Sequence, residues 1–359
     1  MSDRAVPVSW SRFLRTFFGA LAFGVCCVYA AIFVIDPYES GRLTPLNVHG
    51  IPGAMPPTYM AASRGRDPAY DSALIGNSTI QLIQPARLDK LDAPRRFVQL
   101  SVPGSGPSEQ LAIIDWFARH HDHHPAAVVI GIDHHSDGRW CRAGVGPSRT
   151  DLRNPFPFWL YDRDTLPYVG NMLRTSTANA ALYRLVVLLG KRPPAARDGY
   201  DDYDTTRVYD AEAARNRIRA HIPPPSSDAD APAPPQPIPQ SFPSIDALRA
   251  ALAGEFSPAT RKIVVLLPVN AATIPTLGSV RGRELVGCRR ALHELAAAVP
   301  NTVFLDFMID TPLTREDDLF WDDVHYRQPI AQLLEAAIAR ADAGEDPQTA
   351  VVEGMKPRR

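Results

Sequence analysis

The sequence predicts an α/β protein with a parallel, doubly wound sheet, preceded by one apolar helix that crosses a membrane. Short apolar runs alternate with amphipathic segments, which is the order of strands and helices in such sheets. The continuous apolar run at 126–132 suits a strand that is buried on both faces. Residues 16–35 carry no charge, and about 20 apolar residues are enough to span a bilayer core.

The charges around the apolar run predict its orientation. Three arginines precede it and two acidic residues follow it: Arg4, Arg12, Arg15, Asp36 and Glu39. Because positive charge is retained on the cytoplasmic side, we expect a cytoplasmic segment at 1–15, a single-pass helix in the inner membrane at 16–35, and a periplasmic remainder. A cleaved signal peptide is the alternative, but no small-x-small cleavage site follows the run.

The composition excludes one class of partner. The net charge is −1, from 38 basic and 39 acidic residues, so the chain lacks the excess of Lys and Arg that nucleic-acid binding requires. Many of the 35 prolines fall at 223–243, which predicts a flexible surface segment rather than part of a core.

The remaining pattern divides the exported part into regions. We expect a linker at 36–68, an α/β domain at 69–342 with an insertion at 136–260, and a disordered tail at 343–359. Strands are predicted at 70–77, 96–102, 126–132, 262–268 and 302–308, and helices at 109–120, 281–298 and 328–341. Within the insertion, the apolar run 180–189 is too short to span a bilayer and predicts a packed helix.

One turn after the first predicted strand places a serine where chemistry occurs in parallel sheets. Residues 73–79 read ALIGNST, so Ser78 follows Gly76 and Asn77 at the carboxyl end of a buried strand. Backbone N–H groups at the start of the next helix can stabilise an oxyanion there. Alternatively, Ser78 only caps that helix, a common use of serine.

A second motif, close to the other end of the chain, supplies the groups that a nucleophilic serine requires. His325 can accept the proton of Ser78, and Asp322, three residues earlier, can orient the imidazole, with Asp323 as the competing choice. The loop follows the last predicted strand and therefore lies at the same edge of the sheet as Ser78. An ordinary solvated Asp-Asp-x-His loop is the alternative, although the flanking aromatic residues favour partial burial.

The order of these motifs resembles the SGNH/GDSL hydrolase superfamily, in particular its membrane-anchored members that act on cell-envelope polysaccharides. The resemblance covers about 70–135 and 260–340. It implies a three-layer α/β/α sandwich with a flavodoxin-like sheet, and a triad in which Ser78 is the nucleophile, His325 the base and Asp322 its orienter.

The resemblance also implies an oxyanion hole, and here the chain departs from the family pattern. The second donor matches Gly104 or Gly106. The third donor is an Asn in the family, but Asp133 and His134 stand at that place. Loss of one donor can cost roughly 10²–10³ in turnover. Asp133, His134 and His135 face the proposed site and are candidates for substrate binding or for structural hydrogen bonds; Asn270, after the fourth strand, is a further polar candidate.

Two other side-chain groups allow alternative interpretations. The histidines at 120, 121, 123 and 124 could suggest a metal site, but they precede the third strand and so belong at the opposite edge from Ser78; we interpret them as a solvated loop. Cys141 and Cys288 both lie in the exported part, where an oxidising environment makes a disulfide between them a reasonable expectation. Two separately buried thiols are the alternative.

The sequence therefore predicts a membrane-anchored serine esterase or O-acetyltransferase acting on acyl esters of an envelope carbohydrate, with no cofactor and no metal. Transfer would also imply a membrane-bound protein that supplies the acyl group. The alternative is a catalytically weak binding or assembly subunit of an exopolysaccharide machinery, which the absent Asn favours and the intact Ser78, Asp322 and His325 oppose. A metal hydrolase is a distant third.

Overall fold

The computed structural model describes residues 9–44, 49–53, 55–134, 140–149, 155–222, 237–346, 348–349, 351 and 355. His135 and most of the proline-rich segment lie outside these residues.

Within the described residues the chain forms eleven α-helices and five β-strands. The helices are α1 (Trp10–Ile35), α2 (Pro57–Gly65), α3 (Pro85–Leu91), α4 (Pro107–His120), α5 (Phe158–Tyr161), α6 (Thr165–Met172), α7 (Thr175–Leu188), α8 (Ala211–His221), α9 (Pro243–Gly254), α10 (Val280–Ala298) and α11 (Gln328–Asp342). The strands are β1 (Ser72–Ile75), β2 (Phe97–Gln99), β3 (Ala127–Ile132), β4 (Arg261–Leu266) and β5 (Thr302–Asp306). Three short 3-10 helices lie at Ser78–Ile80, Ala271–Thr273 and Asp317–Leu319.

The five strands form one all-parallel sheet in the order β2-β1-β3-β4-β5. The three apolar central strands β1, β3 and β4 are buried almost throughout, as their uninterrupted apolar sequences predict. All five carboxyl ends lie at one edge of the sheet, because the strands are parallel. The chain leaves β1 toward β2 and β3 toward β4, so the connections diverge between the carboxyl ends of β1 and β3.

One large apolar cluster packs against the sheet. Alternate residues of the strands, Leu74, Val129 and Ile263 among them, contribute to it, as do side chains of α3 and α11. In α11 the apolar residues Ile330, Leu334 and Ile338 recur every four positions, which places them on one face of the helix. Burial of that face holds α11 on the sheet and fixes the loop that precedes it.

The chain divides into two compact units. The smaller unit comprises 1–55 and 163–195, and the larger comprises 56–162 and 196–359. The described residues of the predicted linker include α2, and those of the predicted insertion fall in both units. α2 belongs to the larger unit because Met60, Ala61 and Ala62 are buried there, and it packs against α4.

In the smaller unit, α1 is long and apolar enough to cross a membrane, and it is the one such helix among the described residues. The segment after it is fixed by a buried arginine. Arg184 donates hydrogen bonds to the carbonyl oxygens of Ile35 and Asp36 and forms an ion pair with Glu39. Both charged side chains are 2% exposed, so the pair satisfies groups that would otherwise be buried without partners.

Two further observations bear on the sequence predictions for the larger unit. Cys141 and Cys288 form a disulfide that ties the start of the insertion to α10. In the tail predicted to be disordered, Val351 and Met355 are buried in the main apolar cluster. That prediction is wrong for these two residues, because burial of their side chains compensates for the entropy of ordering the chain.

Candidate active site

The two sequence motifs meet in a chain of hydrogen bonds at the carboxyl edge of the sheet. The Oγ atom of Ser78 lies 2.8 Å from Nε2 of His325. On the other side of the ring, Nδ1 lies 2.9 Å and 2.8 Å from Oδ1 and Oδ2 of Asp322. When Nδ1 carries the proton and donates it to the carboxylate, Nε2 is free to accept a hydrogen bond from the serine hydroxyl.

The turn at the end of β1 leaves the hydroxyl of Ser78 available for this contact. Asn77, not Ser78, caps the 3-10 helix: its Oδ1 accepts hydrogen bonds from the N–H and the hydroxyl of Thr79 at 3.0 Å and 2.6 Å. The interpretation of Ser78 as a mere helix cap is therefore wrong. As the first residue of the helix, Ser78 also has a backbone N–H without an intrahelical acceptor.

Gly76 lets the turn pass close to the neighbouring strand. A Cβ atom at this position would lie 2.9 Å from Cγ2 of Ile80 and 3.4 Å from the carbonyl oxygen of Gly131 in β3. A larger residue would therefore push the turn away from β3 and shift Ser78.

A tight loop fixes the histidine and its carboxylate. Oδ1 of Asp322 accepts hydrogen bonds from the N–H groups of Val324 and His325 at 3.0 Å and 2.8 Å. The N–H of Trp321 donates to the carbonyl of His325, which closes the loop. The two candidate carboxylates have different partners. Asp322 contacts His325, whereas Oδ1 of Asp323 lies 3.4 Å from Nδ1 of His221.

The environment of Asp322 keeps its carboxyl group ionised. Burial alone would raise the pKa of this group, but the hydrogen bond and charge of His325 and the two backbone N–H donors outweigh it and lower the pKa below its usual value. An ionised carboxylate can hold the imidazole in one tautomer and stabilise the imidazolium form.

Residues of the predicted insertion support the loop that contains Asp322 and His325, and they were not among the candidates predicted from the sequence. The ring of Tyr203 stands edge-on to that of His325, with centroids 6.3 Å apart. Asp204 accepts hydrogen bonds from Nε1 of Trp321 at 2.7 Å, from Nε of Arg327 and from the N–H of Gln328. No motif marks these positions, which lie more than 115 residues from the loop in sequence.

A buried ion pair joins the segment after Ser78 to the helix after His325. Arg87 in α3 and Glu335 in α11 approach to 2.6 Å, and Glu335 also accepts a hydrogen bond from the N–H of Gln84 at 2.7 Å. Because Glu335 is almost fully buried, loss of Arg87 would leave an unpaired charge inside the protein. This ion pair therefore connects the segments that carry Ser78 and His325, at a position outside the hydrogen-bonded line itself.

Of the two glycines predicted as oxyanion donors, only Gly104 has an available N–H. The N–H of Gly106 donates to Oε2 of Glu109 at 3.1 Å, because Gly106 caps α4. Gly104 has a φ of 74°, and its N–H has no acceptor among the described residues. Its loop lies beside the serine turn, since the N–H of Val102 donates to the carbonyl of Gly76 at 2.9 Å.

The other predicted polar residues are found at the same edge. Asp133 follows β3 and its Oδ2 accepts a hydrogen bond from Nδ2 of Asn77 at 3.0 Å; His134, next to it, is buried. The amide of Asn270 is used within its own loops: Nδ2 donates to Asp317 and Oδ1 accepts from the N–H of Ala272.

The histidines before β3 do not converge. The side chains of His120, His121 and His123 each contact a different backbone carbonyl, of Trp116, Gly65 and Glu255. Burial lowers the pKa of His120 to about 4, and the first two rings are half-buried rather than solvated as predicted. Among the described residues, no group of three His, Cys, Asp or Glu side chains could hold a metal ion.

The arrangement at the carboxyl edge can activate a serine. A hydroxyl, a ring nitrogen that can accept its proton and a carboxylate that orients the ring stand in one hydrogen-bonded line, which is the geometry of nucleophilic acyl transfer. No protein-family model and no curated protein matches the chain.

Proposed function

We propose that the protein is a serine acyl hydrolase or O-acyltransferase of the SGNH type. The observation that carries the proposal is the hydrogen-bonded line Ser78–His325–Asp322 at the carboxyl edge of the sheet. The strand order 2-1-3-4-5 supports it, because flavodoxin-like, doubly wound sheets have this order and bind ligands where the connections diverge. Ser78 follows β1 and Asp133 follows β3, the two strands that flank this position. A three-layer sandwich is part of the same proposal.

The reaction proceeds in two steps. As Oγ of Ser78 attacks the ester carbonyl carbon, Nε2 of His325 takes the hydroxyl proton, and Asp322 stabilises the resulting imidazolium. Collapse of the tetrahedral intermediate breaks the bond to the leaving alcohol, which receives that proton, and an acyl-serine remains. Water or a sugar hydroxyl then attacks the acyl-serine while His325 takes its proton. The bond between the acyl carbon and Oγ breaks, and Oγ of Ser78 takes the proton back from His325.

Backbone donors stabilise the negative oxygen of the intermediate. The N–H groups of Ser78 and Gly104 supply two hydrogen bonds at this edge. Asp133 stands where a third donor is expected, and an ionised carboxylate accepts hydrogen bonds but cannot donate them. The enzyme therefore operates with a weaker oxyanion hole than a three-donor site would provide.

The apolar helix supports a reaction outside the cytoplasm. With α1 as a single-pass anchor in the inner membrane and the larger unit in the periplasm, the substrate is an acyl ester, in the first instance acetyl, of a cell-envelope glycan. In the transfer direction, a membrane-bound protein supplies the acyl group.

Hydrolysis of an acetyl ester tests the proposal. The full chain in detergent micelles is assayed with 4-nitrophenyl acetate beside Ser78→Ala and Ser257→Ala, a control at the opposite edge of the sheet. We expect Ser78→Ala to lose at least about 10³-fold in turnover, since the nucleophile is absent, and Ser257→Ala to match the wild type. Equal rates for all three proteins would contradict the enzymatic function.

A second function, a catalytically weak binding or assembly subunit, is favoured by one observation, the carboxylate of Asp133 at the third donor position. This function predicts that acetylated envelope glycan binds with the same affinity to the wild type and to Ser78→Ala, and that neither protein releases acetate. Release of acetate by the wild type alone would exclude it.

A further inference from the structure

An apolar surface on α7 has no partner within the described part of the chain. Leu182 and Leu189 are 60% and 64% exposed, and Tyr183 is 55% exposed. The opposite face, with Thr177, Ala181, Arg184 and Val187, is buried. The helix therefore packs through one face, and Leu182, Tyr183 and Leu189 lie on its exposed side.

The position of α7 relates this face to the end of the apolar helix α1. The hydroxyl of Tyr29 donates to the carbonyl of Leu173, just before α7. Tyr29 lies six residues before the end of α1, about 9 Å along the helix axis at 1.5 Å per residue. The start of α7 therefore lies level with the last part of the apolar span.

Further contacts join α7 to α1 and to the segment that follows it. The hydroxyl of Thr177 lies 3.1 Å from that of Tyr38, and Arg184 donates to the carbonyl of Ile35. These contacts hold α7 close to the end of the apolar span.

The charged residues of α7 and of its flanking segments are of one sign. Residues 165–195 contain Arg174, Arg184, Lys191 and Arg192 but no Asp or Glu. Arg184 is buried, whereas Arg174 precedes the helix and Lys191 and Arg192 follow it, all three exposed. An apolar face with cationic ends is the pattern of a helix that lies in a membrane interface beside anionic headgroups.

We propose that α7 lies in the plane of the membrane interface with Leu182 and Leu189 in the lipid. The inference rests on one part of the proposed function, that α1 crosses a bilayer. Such helices insert their apolar face about 5–10 Å into the boundary between headgroups and acyl chains. The contact between Tyr29 and Leu173 places α7 at this depth, and the buried Arg184 couples the two helices. The smaller unit thus attaches the protein to the membrane through the in-plane helix α7 as well as through the membrane-spanning helix α1.

Nitroxide accessibility in anionic vesicles tests this arrangement. The full chain carries one spin label at a time, at Leu182→Cys, Leu189→Cys, native Cys26 in α1, or Val208→Cys, which is 95% exposed in the larger unit. Cys26 and Cys27 are replaced by serine in the other variants, and Cys27 alone is replaced for the Cys26 label. We expect labels at 182 and 189 to collide more with oxygen than with a water-soluble nickel complex, as at Cys26 and unlike at 208.

The outcomes separate the inference from its premise. Labels at 182 and 189 that behave as the one at 208, while Cys26 is in lipid, would overturn the inference and leave the span intact. Immobilised labels reached by neither reagent would overturn it in favour of a protein partner on this face. A label at Cys26 that collides more with the nickel complex than with oxygen would show that α1 does not cross the bilayer, and would overturn the inference as well.

The unmodified chain provides a second measurement. In vesicles that contain lipids with a photoactivatable group on the acyl chain, we expect lipid adducts on peptides from α1 and on those from 175–190. Adducts confined to α1 would overturn the inference.

Discussion

Histidines occur at both edges of the sheet, and their partners differ. At the carboxyl edge, the two ring nitrogens of His325 contact two reactive side chains, Ser78 and Asp322. At the amino edge, His120, His121 and His123 each contact a separate backbone carbonyl. At the carboxyl edge a single ring joins two reactive side chains, whereas at the amino edge each ring contacts a different backbone carbonyl.

The comparison shows that residue composition does not identify a site. The amino edge has more histidines within five residues than the carboxyl edge has in its loop, yet its rings serve three separate contacts. A functional histidine is recognised by convergent partners: a proton donor on one nitrogen and an orienting carboxylate on the other.

The largest expected difference between the edges is in catalysis. His325→Gln should lower turnover of an acetyl ester by at least about 10³-fold, because no base remains to accept the proton of Ser78. His123→Gln, at the other edge, should leave turnover unchanged. Steady-state kinetics of the two purified variants checks this, and a comparable loss in both would remove the distinction between the edges.

The second prediction separates the two adjacent carboxylates of the active-site loop. Asp322→Asn should lower turnover by roughly 10²–10⁴-fold, since the amide no longer fixes the tautomer of His325 or stabilises its charged form. Asp323→Asn, whose carboxylate is directed to His221, should stay close to the wild type. A reversed order of the two variants would assign the orienting role to Asp323.

The third prediction concerns the carboxylate at the third donor position. Asp133→Asn should raise turnover roughly tenfold, because an amide can donate to the oxyanion and still accept from Asn77. Asp133→Ala should lower it, since Asn77 then loses its acceptor. Measurement of kcat for both variants and the wild type checks this; a rate for Asp133→Asn below that of the wild type would contradict the role given to the amide.

The smallest predicted effect is on stability and belongs to the amino edge. An unfolded histidine has a pKa near 6.5, and burial lowers that of His120 to about 4, so the unfolded chain binds more protons between these values. The free energy of unfolding should therefore fall as the pH decreases from about 6.5 to 4, and His121, whose pKa burial also lowers, acts in the same sense. His120→Gln should flatten the curve of Tm against pH. Parallel curves for the variant and the wild type would contradict this.

The sequence predicted the parts of the molecule that depend on local pattern. The five strands follow from apolar runs of strand length, and the residues of the line Ser78–His325–Asp322 follow from the position of each motif after a strand. The disulfide between Cys141 and Cys288 was also predicted, because only two cysteines follow the apolar helix in the sequence.

Features that depend on tertiary packing were not accessible from the sequence. The roles of Tyr203 and Asp204 arise because a distant segment folds onto the loop of His325, and no local signal records that contact. The capping role of Asn77 in place of Ser78 is decided by hydrogen-bond geometry within a single turn. Likewise, the conformation of the chain at Ile35 and Asp36 depends on Arg184, almost 150 residues away.

Covalent labelling tests the central claim, that His325 activates Ser78, most directly. The full chain is treated with a fluorophosphonate, and the adduct is located by mass spectrometry and timed in the wild type, in His325→Gln and in His123→Gln. We predict an adduct on Ser78 that forms at the same rate in the wild type and in His123→Gln and is nearly absent in His325→Gln. No adduct on Ser78 in the wild type, or equally fast labelling without His325, would contradict the claim.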